Sequence, residues 1–489
     1  MPGRKGFRNG PHAMTRRDAI AGSATLGLLG AIGSRPASAR ARHSKPNILF
    51  IMADDLGHAD VSCYGRREYA TPAIDRLAKE GMRFTQAYAN SAVCSATRTA
   101  LITGRYQNRL PVGLEEPLAG RDIGLPPSHP TLPSLLRKAG YSTSLIGKWH
   151  LGALPKYGPL LSGYDRFWGF RGGGVNYFTH EFAGQPDLWD DDREVKEPGY
   201  LTDLLGQRAV DAIQGYARAS VPFFMSLHFN APHFPWQGPG DESEARIVTS
   251  ADGKRSDIFD FDHGSMATFA KMVTAMDAQI GRILSTLDDL HLAQDTIVIF
   301  TSDNGGERYS DTWPFTGKKT ELLEGGLRIP AIIRWPGKVS AGNISEQVMI
   351  SMDWLPTLLA MAGAKPDPLY PPDGIDLGFV FKGEPPVART LCWRYLNLAQ
   401  EACRSGDWKY LKILDNSFLF NVVDDPLERS NMKARRPDIY HDLVRKYKKW
   451  DQQMLPLDPA SYTSGFSGND LADHFGVKAR RVIVGPTED

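Results

Sequence analysis

The sequence contains several uninterrupted apolar runs, and each stops abruptly at a polar or charged residue. The first extends from Ile48 to Met52 and is followed closely by two acids; similar runs lie in YSTSLIGKWH, VPFFMSLHFNAPH, DTIVIFTSDNGG and LRIPAIIRWPG. Continuous rather than alternating apolar runs are typical of strands that are buried on both faces, as in a mostly parallel sheet. The runs therefore constrain the fold to a sheet that other elements cover on both sides.

Helical patterns separate these runs and would supply that cover. TPAIDRLAKEG carries Ile74 and Leu77 on one face, and the segment from Phe269 to Leu287 repeats apolar residues at helical spacing. Strands that alternate with helices predict an α/β fold, with a large, mostly parallel sheet sandwiched by helices. A chain of 489 residues is long enough for such a core and for a second domain.

The pattern changes near residue 385, where two prolines precede short strand-like segments with turn residues between them. We therefore predict a large domain over residues 46–384 and a small C-terminal subdomain over 385–455, built from an antiparallel sheet and a helix. The weakly patterned segment 456–489 is rich in Ser and Gly and is expected to be an extended tail.

The first 39 residues resemble an export signal. Basic residues precede the modestly apolar segment TRRDAIAGSATLGLLGAIG, and an A-x-A-like cleavage site ends at Ala39. The Arg16-Arg17 pair resembles a twin-arginine signal, which predicts that the bacterial twin-arginine (Tat) machinery exports the chain to the periplasm or beyond the cell. About 15 apolar residues fall short of the ~20 that span a bilayer, so we expect no stable membrane insertion. The net charge of +1 gives no reason to expect a nucleic-acid partner.

Polar side chains follow four of the apolar runs at the points where the strands would end. They are Asp54, Asp55, Lys148, His150, His233, Asp303 and Asn304. Ligands of open α/β sheets bind beyond the carboxyl ends of the strands, so we expect these residues to share one site. Each alone is weak evidence, because strand-end acids usually lie in solvated turns and single histidines are more often structural. The joint pattern indicates a functional site.

The oxygen-rich composition of this predicted site favours a hard cation. Carboxylate and amide oxygens suit Ca²⁺ or Mg²⁺, whereas zinc would require His or Cys ligands at a matching spacing. The candidate ligands are Asp54, Asp55, Asp303 and Asn304. The positive or proton-transferring candidates are Lys148, His150, His233 and Lys318. Their charge implies an anionic substrate. Of the two adjacent lysines in FTGKKTELLEGG, we assign Lys318 to the site and Lys319 to solvent.

The stretch VCSATRTALITGR places Cys94 just ahead of a predicted short helix that ends at Gly104. A helix N-terminus favours a thiolate and attracts anions. The residue alone leaves open a nucleophile, a metal ligand, a disulfide partner or a small buried side chain. Cys63 is expected to be a buried small hydrophobe. Cys392 and Cys403 flank a predicted hairpin turn, and whether they form a disulfide is left open.

The residues from Cys94 to Arg98, followed by LITGR, resemble the type I sulfatase signature, which is Cys-x-Pro/Ala-x-Arg followed by a hydrophobic residue, Thr and Gly-Arg. The resemblance continues in order through NILFIMADDLG, GKWHLG, APHFP, TSDNGG and GKKTELLEGGLRIP, and so covers about residues 46 to 336. RSGDWKYL and FNVVDDPLERSN resemble the sulfatase C-terminal subdomain. The chain is thus similar to the formylglycine-dependent, arylsulfatase-like enzymes of the alkaline-phosphatase-like superfamily.

This resemblance implies that a formylglycine-generating maturation enzyme oxidises Cys94 to Cα-formylglycine, also called 3-oxoalanine. One hydroxyl of the hydrated aldehyde would attack sulfur, and the second would let sulfate leave without water attacking sulfur. Ala96 replaces the proline of the best-studied signature, which leaves the type of maturation system open. The implied ligands of one Ca²⁺ or Mg²⁺ ion are Asp54, Asp55, Cys94, Asp303 and Asn304.

The resemblance also implies roles for the remaining site residues. Arg98 supports the formylglycine, while Lys148 and Lys318 hold the sulfate oxygens as the S–O bond breaks. His150 takes the proton that releases sulfate, and His233 protonates the leaving oxygen, a task it shares with Lys318. The implied activity is the hydrolysis of an organic sulfate ester, either a sulfated carbohydrate or an aryl sulfate.

Two other functions compete with this one. A phosphonate or phosphodiester hydrolase of the same superfamily would use the same aldehyde, but such relatives tend to have His where this chain has Asn304. A carbohydrate-binding protein on an inactive scaffold would show an eroded site, whereas every matched residue is present. Several aromatic residues near the strand ends would either stack on a substrate ring or pack in the core. They are Trp168, Tyr177, Phe178, Trp189 and Trp236.

Overall fold

A computed structural model describes residues 45–117, 122–242, 248–249, 255–256, 263–461 and 463. The predicted export signal over residues 1–39 lies outside these ranges, and so does most of the predicted tail. Both therefore stay predictions.

The described strands alternate with helices along the first three quarters of the chain and follow one another closely near its C-terminal end. In chain order they are β1 (Asn47–Ala53), β2 (Met82–Phe84), β3 (Ala87–Tyr88), β4 (Ser142–Lys148), β5 (Arg166–Phe170), β6 (Glu181–Phe182), β7 (Gln185–Pro186), β8 (Trp189–Asp190), β9 (Arg193–Glu194), β10 (Phe223–His228), β11 (Val248–Thr249), β12 (Arg255–Ser256), β13 (Thr296–Ser302), β14 (Ala331–Arg334), β15 (Asn343–Ser345), β16 (Met349–Ile350), β17 (Thr390–Tyr395), β18 (Gln400–Ser405), β19 (Trp408–Ile413) and β20 (Asn416–Asn421).

The helices range from single turns to a helix of 24 residues. In chain order they are α1 (Pro72–Glu80), α2 (Cys94–Thr103), α3 (Leu132–Lys138), α4 (Leu201–Ala219), α5 (Met266–Asp289), α6 (Glu324–Leu327), α7 (Trp354–Met361), α8 (Gly378–Phe381) and α9 (Pro437–Asp451). Among the described residues, none of the helices combines the length and the apolar character that a membrane span requires.

The main sheet contains ten of the described strands, in the order β15-β2-β14-β13-β1-β10-β4-β5-β8-β9. Its central strands β13, β1, β10, β4 and β5 are all parallel. β14 is antiparallel to β13, and β8 is antiparallel to β5, so the sheet becomes mixed toward its edges. The predicted α/β fold with a large, mostly parallel sheet is confirmed, and the run in LRIPAIIRWPG forms the antiparallel neighbour β14.

Both faces of this sheet are buried, which explains the uninterrupted apolar runs. On one face Leu49 and Ile51 pack in a cluster with side chains from α1, α4 and α5. On the other, Ile48 and Phe50 pack with side chains from α3 and α7. Successive strand residues point to opposite faces, so the residues of β1 from Ile48 to Ala53 are all apolar. Each fully buried side chain of this size stabilises the fold by about 1.5–3 kcal/mol.

The C-terminal region forms the predicted antiparallel sheet and helix. Strands β17 to β20 pair in sequence order, and α9 packs on them through Leu443 and Tyr447. The Trp393 indole N–H of this sheet donates to the Ala89 carbonyl oxygen at 2.9 Å, and a shared apolar cluster joins the two regions. The apolar core is therefore continuous across residue 385, and the division into separate domains stays a prediction.

Cys392 and Cys403 lie directly opposite each other on β17 and β18. Both are buried, both are free thiols, and their Sγ atoms are 2.8 Å apart. The turn between the strands places the two side chains side by side, as the sequence suggested; a disulfide between them stays a prediction. Cys63 packs against the main core as a small hydrophobic side chain, as predicted, although it is only partly buried.

Candidate active site

The carboxyl ends of four neighbouring parallel strands form the candidate active site. Because β13, β1, β10 and β4 are adjacent in the sheet, the loops that follow them meet at one edge. These loops carry the sequence-predicted residues Asp303 and Asn304, Asp54 and Asp55, His233, and His150, while Lys148 is the last residue of β4. The structure brings them together with Cys94, at the first residue of α2.

The Cys94 thiol lies at the centre of this group. Its Sγ donates to Asp54 Oδ1 at 3.4 Å and to Asp55 Oδ1 at 3.8 Å, and the residue is 4% exposed. Burial raises the pKa of Cys94 well above its usual value, and the neighbouring carboxylates add to this, although Lys148 opposes it. The expectation that the helix N-terminus favours a thiolate is therefore wrong, because desolvation outweighs the dipole.

Three cationic side chains pair with the three carboxylates of the site. Lys148 Nζ lies 2.7 Å from Asp54 Oδ2, and Arg98 donates to Asp303 Oδ2 from Nε at 3.1 Å and from Nη2 at 2.8 Å. The third pair joins Lys319 Nζ to Asp55 Oδ2 at 2.6 Å. Every one of these groups is buried, which strengthens each attraction and also makes an unpaired charge costly.

The pairing of Asp55 corrects the sequence analysis at the two adjacent lysines. Lys319 was assigned to solvent, and this interpretation is wrong: its side chain is 7% exposed and contacts Asp55 inside the site. Lys318 is partly exposed, and its backbone N–H donates to the Glu321 carboxylate at 3.1 Å. The turn after Gly317 directs the second lysine rather than the first toward the strand ends. Two neighbouring lysines of equal type carry no sequence signal that distinguishes them.

The carboxylates titrate differently because their cationic neighbours differ. Burial raises the pKa of Asp54 to about 7 even though Lys148 opposes it. Burial acts in the same direction on Asp55, but Lys319 and His233 outweigh it and lower the pKa of that carboxyl. Arg98 and Lys148 likewise overcome burial at Asp303 and hold its pKa below the usual range. Three acids this close create a strongly negative centre that needs positive charge to remain ionised.

The two predicted histidines are buried and neutral. His233 Nδ1 donates to the Phe234 carbonyl at 2.5 Å, which leaves Nε2 unprotonated, 3.6 Å from Asp55 Oδ2. Burial, reinforced by Lys319, lowers the pKa of His233 to about 3. Both ring nitrogens of His150 are buried without a hydrogen-bond partner among the described residues, and burial lowers its pKa well below the usual value. An imidazole in this state can accept a proton.

A third histidine belongs to the site, and the sequence analysis missed it. His228, the last residue of β10, donates from Nδ1 to the Lys148 carbonyl oxygen at 3.1 Å, and Arg98 Nη1 donates to the same oxygen at 3.3 Å. Gly147 has a φ of +107°, and a Cβ there would lie 1.8 Å from the His228 carbonyl oxygen. The sequence signal for His228 is its position as the polar residue that ends the apolar run of β10, whereas the predicted site residues of that segment lie beyond the run.

The donor set fits a hard divalent cation. Asn304 Nδ2 donates to Asp55 Oδ1 at 2.7 Å and to the Gly305 carbonyl at 2.9 Å. Its Oδ1 is buried and has no hydrogen-bond partner in the described part of the chain, so it is available as a ligand. Asp54, Asp55, Cys94 and His233 offer ligand atoms within 4.8 Å of one another. The oxygens of this set are those that Ca²⁺ and Mg²⁺ prefer.

The aromatic residues near the strand ends divide into two groups. Trp168, Tyr177 and Trp236 are buried and pack in the main core. Phe178 and Trp189 are partly buried. Of the two roles considered for these aromatic residues, packing in the core is the one observed for Trp168, Tyr177 and Trp236.

Comparisons with known proteins agree with this geometry. The family model described as Sulfatase matches residues 46–364. Human N-acetylgalactosamine-6-sulfatase is 34% identical over 359 residues, which cover 68% of this chain and 65% of that relative. The chain thus spans slightly less than two thirds of that relative's length. Human arylsulfatase A is 30% identical over 436 residues, covering 82% of each chain. The crystal structure of Ps i-CgsB in complex with k-i-k-neocarrahexaose is 32% identical, with a TM-score of 0.76 over 85% of this chain and 94% of that one.

Proposed function

Because the chain belongs to the sulfatase family, we propose that it hydrolyses a sulfate ester of a saccharide. The observation that carries this proposal is the position of Cys94, buried at the start of α2 with its thiol 3.4 Å from the Asp54 carboxylate. A residue of this kind, enclosed by three acids and three cations, is suited to chemistry on an anionic ester rather than to packing alone.

We propose that Cys94 is converted to formylglycine and that one Ca²⁺ or Mg²⁺ ion binds beside it. The aldehyde hydrate would supply the nucleophile, and the cation would neutralise negative charge next to it. The ligands would be Asp54, Asp55, Asp303 and Asn304, together with residue 94. Arg98 holds Asp303 through two hydrogen bonds and so fixes the orientation of that carboxylate. The maturation enzyme and the Tat export machinery remain proposed partners.

Lys148 and Lys319 are placed to bind the sulfate group. The Nζ atom of Lys148 lies 2.7 Å from Asp54, and that of Lys319 lies 2.6 Å from Asp55. Positive charge fixed in advance in a buried site stabilises the negative charge that develops on the leaving oxygen and the sulfate. We therefore give Lys319 the role that the sequence resemblance gave to Lys318.

The two histidines divide the proton transfers. His150 is a neutral imidazole without a partner in the described structure, and it accepts the proton whose removal releases sulfate. His233 is neutral in the free site, and a sulfate anion beside it would favour its protonated form. It would then protonate the leaving sugar oxygen. Asp55 outweighs burial and raises the pKa of Lys319 well above the usual value, so Lys319 is protonated in the free site and would share with His233 the protonation of the leaving oxygen.

Three assays on one preparation test this function. The purified, metal-loaded protein is incubated with N-acetylgalactosamine 6-sulfate, with 4-nitrophenyl sulfate and with bis(4-nitrophenyl) phosphate, and released sulfate or nitrophenol is measured. We expect turnover of the sulfate esters and a much lower rate on the phosphate diester. Cys94→Ala is the matched control and should abolish turnover without unfolding the protein. Preference for the diester would replace this proposal by the phosphodiester hydrolase alternative.

A further inference from the structure

A second cleft adjoins the candidate active site on the side of His150. About 90 Å³ of this cleft is accessible to a molecule the size of water, and its lining includes Gly173. The carbonyl oxygen of Gly173 accepts a hydrogen bond from Lys148 Nζ. A Cβ at position 173 would lie 2.9 Å from His150 Cε1, so the glycine allows the ring and the loop to approach closely. The cleft therefore lies next to Lys148 and His150 of the candidate active site.

Arg171 is the one basic side chain that lines this cleft among the described residues. Its backbone carbonyl accepts from the His150 N–H at 3.1 Å, which ties its position to the catalytic loop. The side chain is 29% exposed, and its Nε lies 3.6 Å from Asp187 Oδ1. Neither Nη group has a hydrogen-bond acceptor in the described structure. The guanidinium also lies over the Trp189 ring, with Cζ 5.8 Å from the ring centroid.

Asp187 orients this arginine, but its carboxylate oxygens also accept hydrogen bonds from other groups. Its oxygens accept from the backbone N–H groups of Arg171 at 3.2 Å and Gly172 at 2.8 Å, and from the Trp189 indole N–H at 2.8 Å. The carboxylate thus holds the glycine loop in place, and its contact with the guanidinium is longer than a hydrogen bond. The two Nη groups form an open fork with the geometry that a carboxylate or sulfate accepts.

We propose that Arg171 binds a second anionic group, a carboxylate or a sulfate, on the saccharide whose sulfate ester is cleaved. This inference rests on the proposed function and names the class of its substrate: a saccharide with at least two negative charges. Pro117, Ala153 and Phe182 line the same cleft and provide apolar contact for the ring that carries the second charge. Arg171 would then select among substrates without touching the reacting sulfur.

The test compares substrates that share one sulfate ester and differ in the second charge. The probes are N-acetylgalactosamine 6-sulfate alone, the same sugar linked to glucuronic acid, the same sugar linked to a sulfated neutral hexose, and 4-nitrophenyl sulfate. Arg171→Gln should lower kcat/KM about 10- to 100-fold on a probe with the correct second anion, the range of a charge-assisted contact. It should change the rate on the two singly charged probes by less than about twofold. The probe on which Arg171→Gln loses more activity, the one with glucuronic acid or the one with the sulfated hexose, identifies the anionic group that Arg171 binds.

Arg193→Gln is the matched control, because Arg193 is 82% exposed on β9 and does not line the cleft. It removes the same charge and should affect no probe. Equal losses on every probe would overturn the proposal, and so would an unchanged rate on all of them. Calorimetric binding of the doubly charged probes in a Cys94→Ala background separates the two proposals. Weaker binding in Arg171→Gln without turnover by the unmutated enzyme would refute the proposed function alone, whereas equal binding would refute the role of Arg171.

Discussion

The two adjacent lysines in GKKTELLEGG offer an internal comparison, because Lys319 is buried against Asp55 whereas Lys318 is partly exposed. Substitution of either by Met removes the charge and keeps a long, unbranched side chain. The two variants have the same composition and differ only in which lysine is lost. The account predicts that Lys319→Met impairs both activity and stability and that Lys318→Met impairs neither.

The magnitude follows from the contact between Lys319 and Asp55. Their charged atoms are 2.6 Å apart, and their side chains are 7% and 1% exposed. Removing one partner of a buried ion pair costs roughly 3–5 kcal/mol, because the other charge stays buried without compensation. His233 lies 3.6 Å from the same carboxylate, but it is neutral and so does not replace the lost charge. The loss of one group that stabilises transition-state charge costs about 10²–10³ in kcat.

The assays are kcat/KM on 4-nitrophenyl sulfate and the free energy of unfolding in urea, measured with and without a chelator. A bound divalent cation would offset the Asp55 charge, so the stability loss of Lys319→Met should be larger after chelation. Lys318→Met should stay within about 0.5 kcal/mol and twofold in rate. A large rate loss in Lys318→Met with little change in Lys319→Met would refute this reasoning and restore the sequence-based assignment.

Three further predictions concern protons, metal and pH. His233→Ala should lose far more rate on a sugar sulfate than on an aryl sulfate with an acidic phenol, whereas His150→Ala should slow both esters equally; equal patterns for the two variants would contradict their assigned roles. Asp303→Ala should remove activity and the bound ion together, as measured by elemental mass spectrometry, and stoichiometric zinc in the active enzyme would contradict an oxygen-ligated Ca²⁺ or Mg²⁺. Burial, reinforced by Glu324, raises the pKa of Glu428 from 4.5 to about 7 although Lys409 opposes it, so its contribution to stability should decline between those pH values. Glu428→Gln should therefore gain stability relative to the unmutated protein above pH 7 and match it at pH 4.5 in urea unfolding; parallel curves would contradict the shift.

The strands and their polar ends could be predicted because a strand buried on both faces is an uninterrupted run of apolar residues, and the run stops where the strand ends. The run from Ile48 to Met52 must be apolar throughout, and its end at Asp54 marks the sheet edge where the site lies. The antiparallel direction of β14 was not predictable, since an apolar run is the same in either direction. The packing of β17 to β20 onto the main core also depends on long-range contacts, such as that of Trp393 with Ala89, which no local pattern records.

Some features of the site could likewise be predicted from the sequence, and others could not. Residue type and position at a strand end were enough to indicate Asp55, Lys148 and His233. The choice between Lys318 and Lys319 depends on a turn geometry that the sequence does not specify. The helix dipole alone predicted a thiolate at Cys94, whereas burial raises its pKa and favours the thiol.

Position 94 should carry an aldehyde in the active enzyme, and the mass of one peptide distinguishes that aldehyde from a thiol. Trypsin should release residues 84–98, which contain Cys94. Conversion of the thiol to an aldehyde lowers the mass by about 18 Da, whereas ordinary thiol oxidation adds mass. The account predicts this lighter peptide in the active enzyme and its labelling by an aldehyde-reactive hydrazide. A fully active preparation in which the peptide has its encoded mass and a free thiol would contradict the account.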